Sequence, residues 1–207
     1  MKKIVGVYCA LILVLGFATG ASAVLFEVDN FDVDLRDVDP GLVLDWAPEI
    51  ATPFTKDLEV CTPQKFDLFS IWTNEGSINP DDEVAYPITV AFNFTQPSSF
   101  YGEVEGETSG ERIFYGLFQG GVVEWDTPEI INFGPYGDGE LLISLSDEFF
   151  NWGIFGTFPG ERCGATVQAT FHLKSEATPV PEPATMLLLG SGLAGLAGFG
   201  RKKFFKK

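Results

Sequence analysis

Ile88-Thr89-Val90-Ala91-Phe92-Asn93-Phe94-Thr95 is the stretch that decides the fold of this 207-residue chain. Its larger apolar residues alternate with small or polar ones, which is the period of a β-strand with one buried and one solvated face. The same alternation recurs at Phe31–Arg36 and at Thr166–Lys174. Helical periodicity is nearly absent between these runs, so the sequence predicts an all-β domain.

Turn-forming residues separate the alternating runs. They are Asp39-Pro40-Gly41, Asn79-Pro80-Asp81, Gln96-Pro97-Ser98, Gly120-Gly121, Gly134-Pro135 and Tyr136-Gly137-Asp138-Gly139. Further strands are predicted at Phe66–Thr73, Phe100–Glu105, Arg112–Gln119, Val122–Trp125 and Glu140–Leu145, and a short helix or apolar loop at Phe149–Phe155. Eight or more strands in one domain favour an antiparallel β-sandwich of jelly-roll type, with a closed barrel as the alternative.

The charge of the chain is concentrated in its middle. Seven of the 13 basic residues lie at the two ends, so six basic residues face all 29 acidic ones between Val24 and Pro183, which gives a formal charge of −23. Such a surface repels phosphate backbones and anionic lipid headgroups, so nucleic-acid binding is disfavoured for this part and no nucleic-acid partner is predicted. Cations and neutral glycans fit it better.

Two acidic runs are the candidate metal site. Asp29, Asp32, Asp34, Asp37 and Asp39 fall within eleven residues, and a second run follows at Asn79–Glu83. Carboxylate oxygens at this density suit Ca²⁺, which takes 6–8 oxygen ligands. The alternative is a solvated strand face, because alternating aspartates also produce one. Calcium is the only cofactor that the sequence suggests.

Cys61 and Cys163 are the two cysteines outside the apolar N-terminal segment. Exported proteins meet oxidising conditions, so the two are predicted to form one disulfide. Two separate thiols are the alternative, because sequence does not reveal the geometry that pairing requires.

Catalytic motifs are scarce. His172 is the only histidine and falls on the polar side of its predicted strand, where an exposed, inert ring is expected. Neither G-x-S-x-G nor H-E-x-x-H occurs. The domain is therefore predicted to be non-enzymatic.

The N-terminus has the three parts of a secretory signal peptide. Lys2 and Lys3 precede a fourteen-residue apolar stretch, and Ala21-Ser22-Ala23 supplies the small residues that a signal peptidase recognises. Cleavage is predicted before Val24. Residues 1–23 are then the signal peptide and 24–176 the acidic sandwich domain.

The C-terminus has the composition of a membrane segment. Residues 177–183 form a proline-rich linker, and Ala184–Gly200 is uncharged. Seventeen helical residues span about 26 Å, which suffices to cross a bilayer when the flanking basic side chains reach the interface. Arg201, Lys202, Lys203, Lys206 and Lys207 follow and place that end on the cytoplasmic side.

The tail VPEPATMLLLGSGLAGLAGFGRKKFFKK, residues 180–207, resembles the PEP-CTERM sorting signal of Gram-negative bacteria. The resemblance implies that Pro181, Glu182 and Pro183 are the recognition box, that Ala184–Gly200 is the membrane segment and that the basic cluster is the stop signal. It also implies processing by an exosortase and an association with exopolysaccharide and biofilm. A plain single-span anchor is the alternative.

Together these features predict an exported, non-enzymatic protein of the cell surface or extracellular matrix. It is expected to be held in the membrane by residues 184–207 until an exosortase processes it. A carbohydrate- or calcium-binding sandwich is the alternative function, and a glycan hydrolase is a third.

Overall fold

The computed structural model describes residues 23–179 and 187–193. Residues 23–179 form eleven strands and one short 3₁₀ turn at Glu161–Cys163. The strands are β1 (Val24–Asp34), β2 (Leu44–Pro48), β3 (Phe54–Leu58), β4 (Gln64–Thr73), β5 (Tyr86–Gln96), β6 (Phe100–Ile113), β7 (Phe118–Trp125), β8 (Glu129–Phe133), β9 (Gly139–Leu145), β10 (Glu148–Ile154) and β11 (Ala165–Ser175).

The strands build two sheets in which every pairing is antiparallel. Sheet A has the order β10-β7-β6-β5-β1-β3, and sheet B has the order β2-β4-β11-β9-β8. The predicted all-β, two-sheet architecture is confirmed, while the jelly-roll type remains a prediction. The deciding stretch lies inside β5, which is flanked on both sides by long strands of sheet A.

Phenylalanine rings fill the space between the sheets. Phe92 of β5 in sheet A contacts Phe171 of β11 in sheet B, with ring centroids 5.7 Å apart. Phe26 and Phe133 form a second edge-to-face pair across the sheets at 5.1 Å. Edge-to-face geometry brings the positive edge of one ring to the negative face of the other and adds about 0.5–1.5 kcal/mol per pair to the burial term.

Asn151 ties the edge of sheet A to sheet B. Its side chain is fully buried, its Oδ1 accepts the Thr73 backbone N–H at 2.8 Å, and its Nδ2 donates to the carbonyls of Phe158 and Gly160. Its φ of 54° lies in the left-handed region, which asparagine enters more readily than most residues. Both ends of the amide are therefore satisfied in a conformation that suits asparagine.

Two predictions around β7 are wrong. Gly120 and Gly121 lie inside β7 rather than in a turn, and the turn falls at 114–117, within the predicted strand Arg112–Gln119. The glycines are needed because aromatic rings pack on both faces of the strand. A Cβ on Gly120 would lie 2.7–2.8 Å from atoms of the Trp152 indole, and one on Gly121 would meet the Phe150 ring.

The prediction of a helix or loop at Phe149–Phe155 is also wrong, because this segment forms most of β10. A register shift between Phe150 and Gly153 interrupts its pairing with β7. The extra residues in this bulge break the alternation that would have marked the segment as a strand. Strands β2, β3 and β8, each of five residues, were too short for the sequence pattern to reveal.

The predicted disulfide is wrong in this structure, where Cys61 and Cys163 are both free and exposed. The Cys61 N–H donates to the carbonyl of Leu173, near the end of β11, whereas Cys163 lies two residues before the start of that strand. At about 3.3 Å per residue, Ala165 and Leu173 are separated by roughly 26 Å. A disulfide requires Cα atoms within about 7 Å of each other.

We expect both cysteines to react with a maleimide in the native exported protein. Peptide mapping without reduction should find no cross-link between the peptides that contain Cys61 and Cys163. A Cys61–Cys163 cross-link as the main species would show that the two cysteines do not lie at opposite ends of β11.

We expect Asn151→Ala to lower the free energy of unfolding by about 3 kcal/mol, because buried backbone groups lose their partners. Asn132→Ala, at an exposed position of β8, is the matched control and should change it by less than about 0.5 kcal/mol. Urea denaturation measures both values. Equal effects of the two substitutions would contradict the role given to Asn151.

Candidate functional site

The five aspartates of the predicted calcium site lie along one strand and the loop after it. Asp29, Asp32 and Asp34 belong to β1 and are exposed, and Asp37 and Asp39 follow in the loop, also exposed. Extended backbone separates side chains instead of gathering them around one point. Within residues 23–179 and 187–193, no three or more His, Cys, Asp or Glu side chains are placed to hold a metal ion.

The second acidic run serves the structure of its loop. Asp82 is 1% exposed and accepts the backbone N–H of Asn79 through Oδ2 at 2.6 Å. Glu83 receives two hydrogen bonds from Arg112, at 2.8 and 2.9 Å, and this guanidinium lowers the pKa of the Glu83 carboxyl. These carboxylates are therefore occupied within the protein.

The outer face of sheet A carries a separate acidic surface. Glu103, Glu105 and Glu107 alternate along β6 and are exposed, and Glu107 lies directly opposite Glu124 of β7. An open pocket of about 500 Å³ beside them is lined by Glu103, Glu105, Asp126, Thr127 and Glu129. Like charges facing each other across a sheet are destabilising, and this surface repels anionic ligands.

His172 is half-buried rather than exposed as predicted. It lies on β11 opposite Leu142 of β9. Its Nε2 is buried and has no hydrogen-bond partner among the described residues.

A group of aromatic residues lies at the other end of sheet A, and all of them except the half-buried Trp152 are exposed. We call it the aromatic surface and define it as Phe114, Tyr115, Phe149, Trp152 and Phe155. Phe114 and Tyr115 stand at the tip of the β6–β7 hairpin, with exposed fractions of 72% and 111%. Phe155 follows β10, is 82% exposed and donates its backbone N–H to the carbonyl of Leu117 at 2.8 Å, which brings the end of β10 against the hairpin.

Trp152 and Phe149 extend the aromatic surface over the face of sheet A. Their rings meet edge to face, with centroids 5.9 Å apart. The Trp152 indole packs closely against Gly120, and its Nε1–H has no partner among the described residues. Phe149 is 65% exposed, so the pair covers the sheet without entering the core.

The backbone under the aromatic surface is strained. Phe114, Tyr115 and Phe155 have φ angles of 50°, 62° and 61°. The left-handed region costs an L-residue roughly 1–2 kcal/mol, and a bulky residue there is an outlier. Such strain persists only where the surrounding structure imposes it, and it is most often found at functional positions.

Sequence reasoning missed the aromatic surface, although a signal was present. Residues 113–123 and 149–160 contain no charged side chain in a chain with 42 charged ones. Aromatic residues are ordinarily expected in the core. Trp46 and Trp125 pack against it, but Trp152 lies on the outer face of sheet A.

Hydrogen bonds from Ser175 and Thr178 to Asp138 hold the end of the sandwich domain, and we call these three residues the clamp. The Asp138 carboxylate accepts the Thr178 backbone N–H at 3.1 and 3.2 Å and also accepts the Thr178 hydroxyl. These hydrogen bonds lower the pKa of the Asp138 carboxyl, and Ser175 donates to the Asp138 carbonyl at 3.1 Å. Ala177 packs against the core between these two attachments. The chain is thus fastened to the β8–β9 turn as far as Thr178.

The sorting residues lie outside the described part of the chain. This applies to Pro181, Glu182 and Pro183, to the basic residues Arg201, Lys202, Lys203, Lys206 and Lys207, and to the signal peptide up to residue 22. Of the predicted membrane segment, residues 187–193 are described and are helical. In the described residues, no helix reaches the length and hydropathy that crossing a membrane requires.

The sandwich domain ends at the Asp138–Thr178 contact, and the segment that contains the Pro-Glu-Pro box follows it in the sequence. The tag is identified by a family model: residues 179–202 match the PEP-CTERM protein-sorting motif. The chain therefore carries the motif of exosortase-dependent exported proteins, and the resemblance noted from its sequence is confirmed. No curated protein and no solved structure matches the chain.

We expect Asp138→Ala to release residues 175–178 from the sandwich. Hydrogen exchange followed by mass spectrometry should show faster exchange of the Thr178 amide, while the amides of β11 stay protected. Asp126→Ala, an exposed aspartate in another turn, is the control and should leave the Thr178 amide unchanged.

The clamp should also depend on pH. Because the folded pKa of Asp138 is lowered, its stabilising effect is fully present above the ordinary value of 3.8 and is lost as the pH falls through the folded pKa. Protection of Thr178 that is insensitive to both the substitution and acid would contradict the clamp.

Proposed function

We propose that this protein is a non-enzymatic component of the cell surface or extracellular matrix, delivered there by exosortase processing. The observation that carries the proposal is the position of the tag. The PEP-CTERM motif begins at residue 179, immediately after the clamped Thr178. The strands run from Val24 to Ser175, so the sandwich is complete before the tag begins.

The proposed path starts at the N-terminus. A signal peptidase removes residues 1–23 during export, and β1 begins at Val24, the first residue after that cleavage site. Ala184–Gly200 then holds the precursor in the membrane, with the five basic residues as the stop signal. An exosortase recognises Pro181-Glu182-Pro183 and separates or transfers the sandwich domain.

Exopolysaccharide is the proposed partner outside the cell. Support comes from the charge of the domain, which disfavours nucleic acid and anionic lipid, and from the exposed rings of the aromatic surface. The same rings favour a carbohydrate-binding role as the second candidate function. Calcium binding has less support, because the described residues gather no metal-binding group.

The test is the mass of the mature protein after expression of the full chain in its host. We expect a C-terminus near Glu182, with the membrane segment and the basic residues absent. Deletion of residues 181–207 should leave the sandwich folded, because its core residues all lie between Phe26 and Leu173. The deleted chain should nevertheless fail to reach the cell surface.

Glu182→Ala is the sharper variant, because it leaves the apolar segment and the basic end intact. If an enzyme reads the box, the variant should accumulate as the unprocessed precursor. Phe199→Ala, a substitution within the apolar segment, is the control and should be processed normally. Equal processing of the Glu182→Ala chain and the unaltered chain would favour a plain anchor.

A further inference from the structure

We infer that the aromatic surface is a binding site for a neutral polysaccharide. The inference deepens the proposed function. It rests on that function in one respect, because export is what brings the protein to extracellular polymers. The ligand class follows from three properties of the surface, which are its geometry, its strain and its lack of charge.

The aromatic side chains on β7 and β10 form an apolar platform, and the tip of the β6–β7 hairpin stands at one end of it. β7 and β10 pair side by side, and Ile154 is in register with Phe118. Phe114 meets Phe118 edge to face with ring centroids 6.1 Å apart, and the Phe149–Trp152 pair, also edge to face, continues the apolar surface along the sheet. Pyranose rings present flat C–H faces, and aromatic faces with negative quadrupoles attract such C–H groups.

A polar group borders this platform. Glu111 of β6 lies directly opposite Gly120, the residue on which the Trp152 indole rests. A carboxylate beside an aromatic ring accepts hydrogen bonds from hydroxyl groups, which every sugar unit carries at its rim. Apolar rings with a few polar groups that fix orientation are the usual composition of a small-molecule site.

The strained backbone at the hairpin tip indicates that the exposed position of these rings serves a function. Phe114, Tyr115 and Gly116 occupy three left-handed positions at the hairpin tip, and asparagine or glycine would occupy the first two at lower cost than the aromatic residues. Tyr115 is fully exposed, so packing within the chain does not offset this cost. The positions instead carry rigid aromatic side chains, which lose little conformational entropy when they bind.

The charge of the domain determines which kinds of ligand can approach the aromatic surface. Segments 113–123 and 149–160 are uncharged, whereas the rest of the region from Val24 to Pro183 carries −23. Anionic polysaccharides, anionic lipid surfaces and a second copy of this chain all meet electrostatic repulsion. A neutral, hydroxyl-rich polymer does not, and its length would let it contact the hairpin tip and the Trp152 platform together.

The test is affinity electrophoresis of the full chain, exported and purified from its host with whatever C-terminus it carries. Native gels contain hydroxyethylcellulose, dextran or galactomannan as neutral probes, and alginate as the anionic one. We expect at least one neutral polymer to retard the protein and alginate to leave its mobility unchanged. Because the processed and unprocessed proteins both qualify, this result is independent of the mass measurement that tests the proposed function.

The decisive variant is the double substitution Phe114→Asn and Tyr115→Gly. We expect at least a tenfold loss of affinity for the neutral polymer together with a rise in Tm of about 4 °C, because the strain at the tip is relieved. Loss of binding in a stabilised protein separates a binding role from a structural one. Phe155→Asn, which also suits the left-handed region, should weaken binding as well.

Tyr136→Ala is the matched control, since Tyr136 is an aromatic residue 66% exposed on the β8–β9 turn. It should bind like the unaltered protein. Retention by none of the three neutral polymers, or equal retention of the double variant, overturns the inference. Binding to phosphatidylcholine vesicles instead of the polymers, or self-association that the double variant abolishes, overturns it in favour of a lipid or of a second copy.

Discussion

The contact between phenylalanine rings of the two sheets is the interaction on which this structure depends. Charge contributes little, because in the described part of the chain one ion pair forms, between Arg112 and Glu83, and its side chains are 32% and 39% exposed. Solvent screens such an exposed pair, so it contributes little to the stability of the fold. The acidic surface itself opposes the compact state. Burial of each large apolar side chain contributes about 1.5–3 kcal/mol, so the aromatic core must supply the stability that the surface removes.

The sheet edges carry features that oppose pairing with other copies of the chain. β2, β3 and β8 are edge strands of five residues each, and β2 ends at Pro48. Lys56 of β3 lies 4.1 Å from the centroid of the Phe66 ring, which places a cation on that edge. Short strands, proline and lysine are the devices that block edge-to-edge association. The fourth edge, β10, is instead bent by its bulge, and its end carries Phe155 of the aromatic surface.

The sequence was sufficient for the architecture where a strand is regular. β5 and β11 alternate without interruption, and both lie where the pattern predicted them. The sequence was insufficient where contacts between distant residues determine the local structure. Gly120-Gly121 has the composition of a turn, and only the rings of Trp152 and Phe150 on opposite faces explain why glycines stand in a strand. The same limit applies to the cysteines, whose placement at opposite ends of β11 follows from strand order and not from spacing.

The candidate site was hidden for a related physical reason. A run of charged residues in a sequence suggests a binding site, as the five aspartates of β1 and its loop do. The extended backbone nevertheless keeps these aspartates apart. Aromatic residues are ordinarily core residues, and Phe92 and Phe171 obey that expectation. Phe114 and Tyr115 differ only because the turn between β6 and β7 falls on them, which turns both residues outward in the left-handed region. The core stabilises the fold independently of those rings and of the tag that follows Thr178. Substitutions in the hairpin tip and in the sorting signal should therefore cost the fold little stability. The strained rings of the tip are not required by the core, which points to a role in binding.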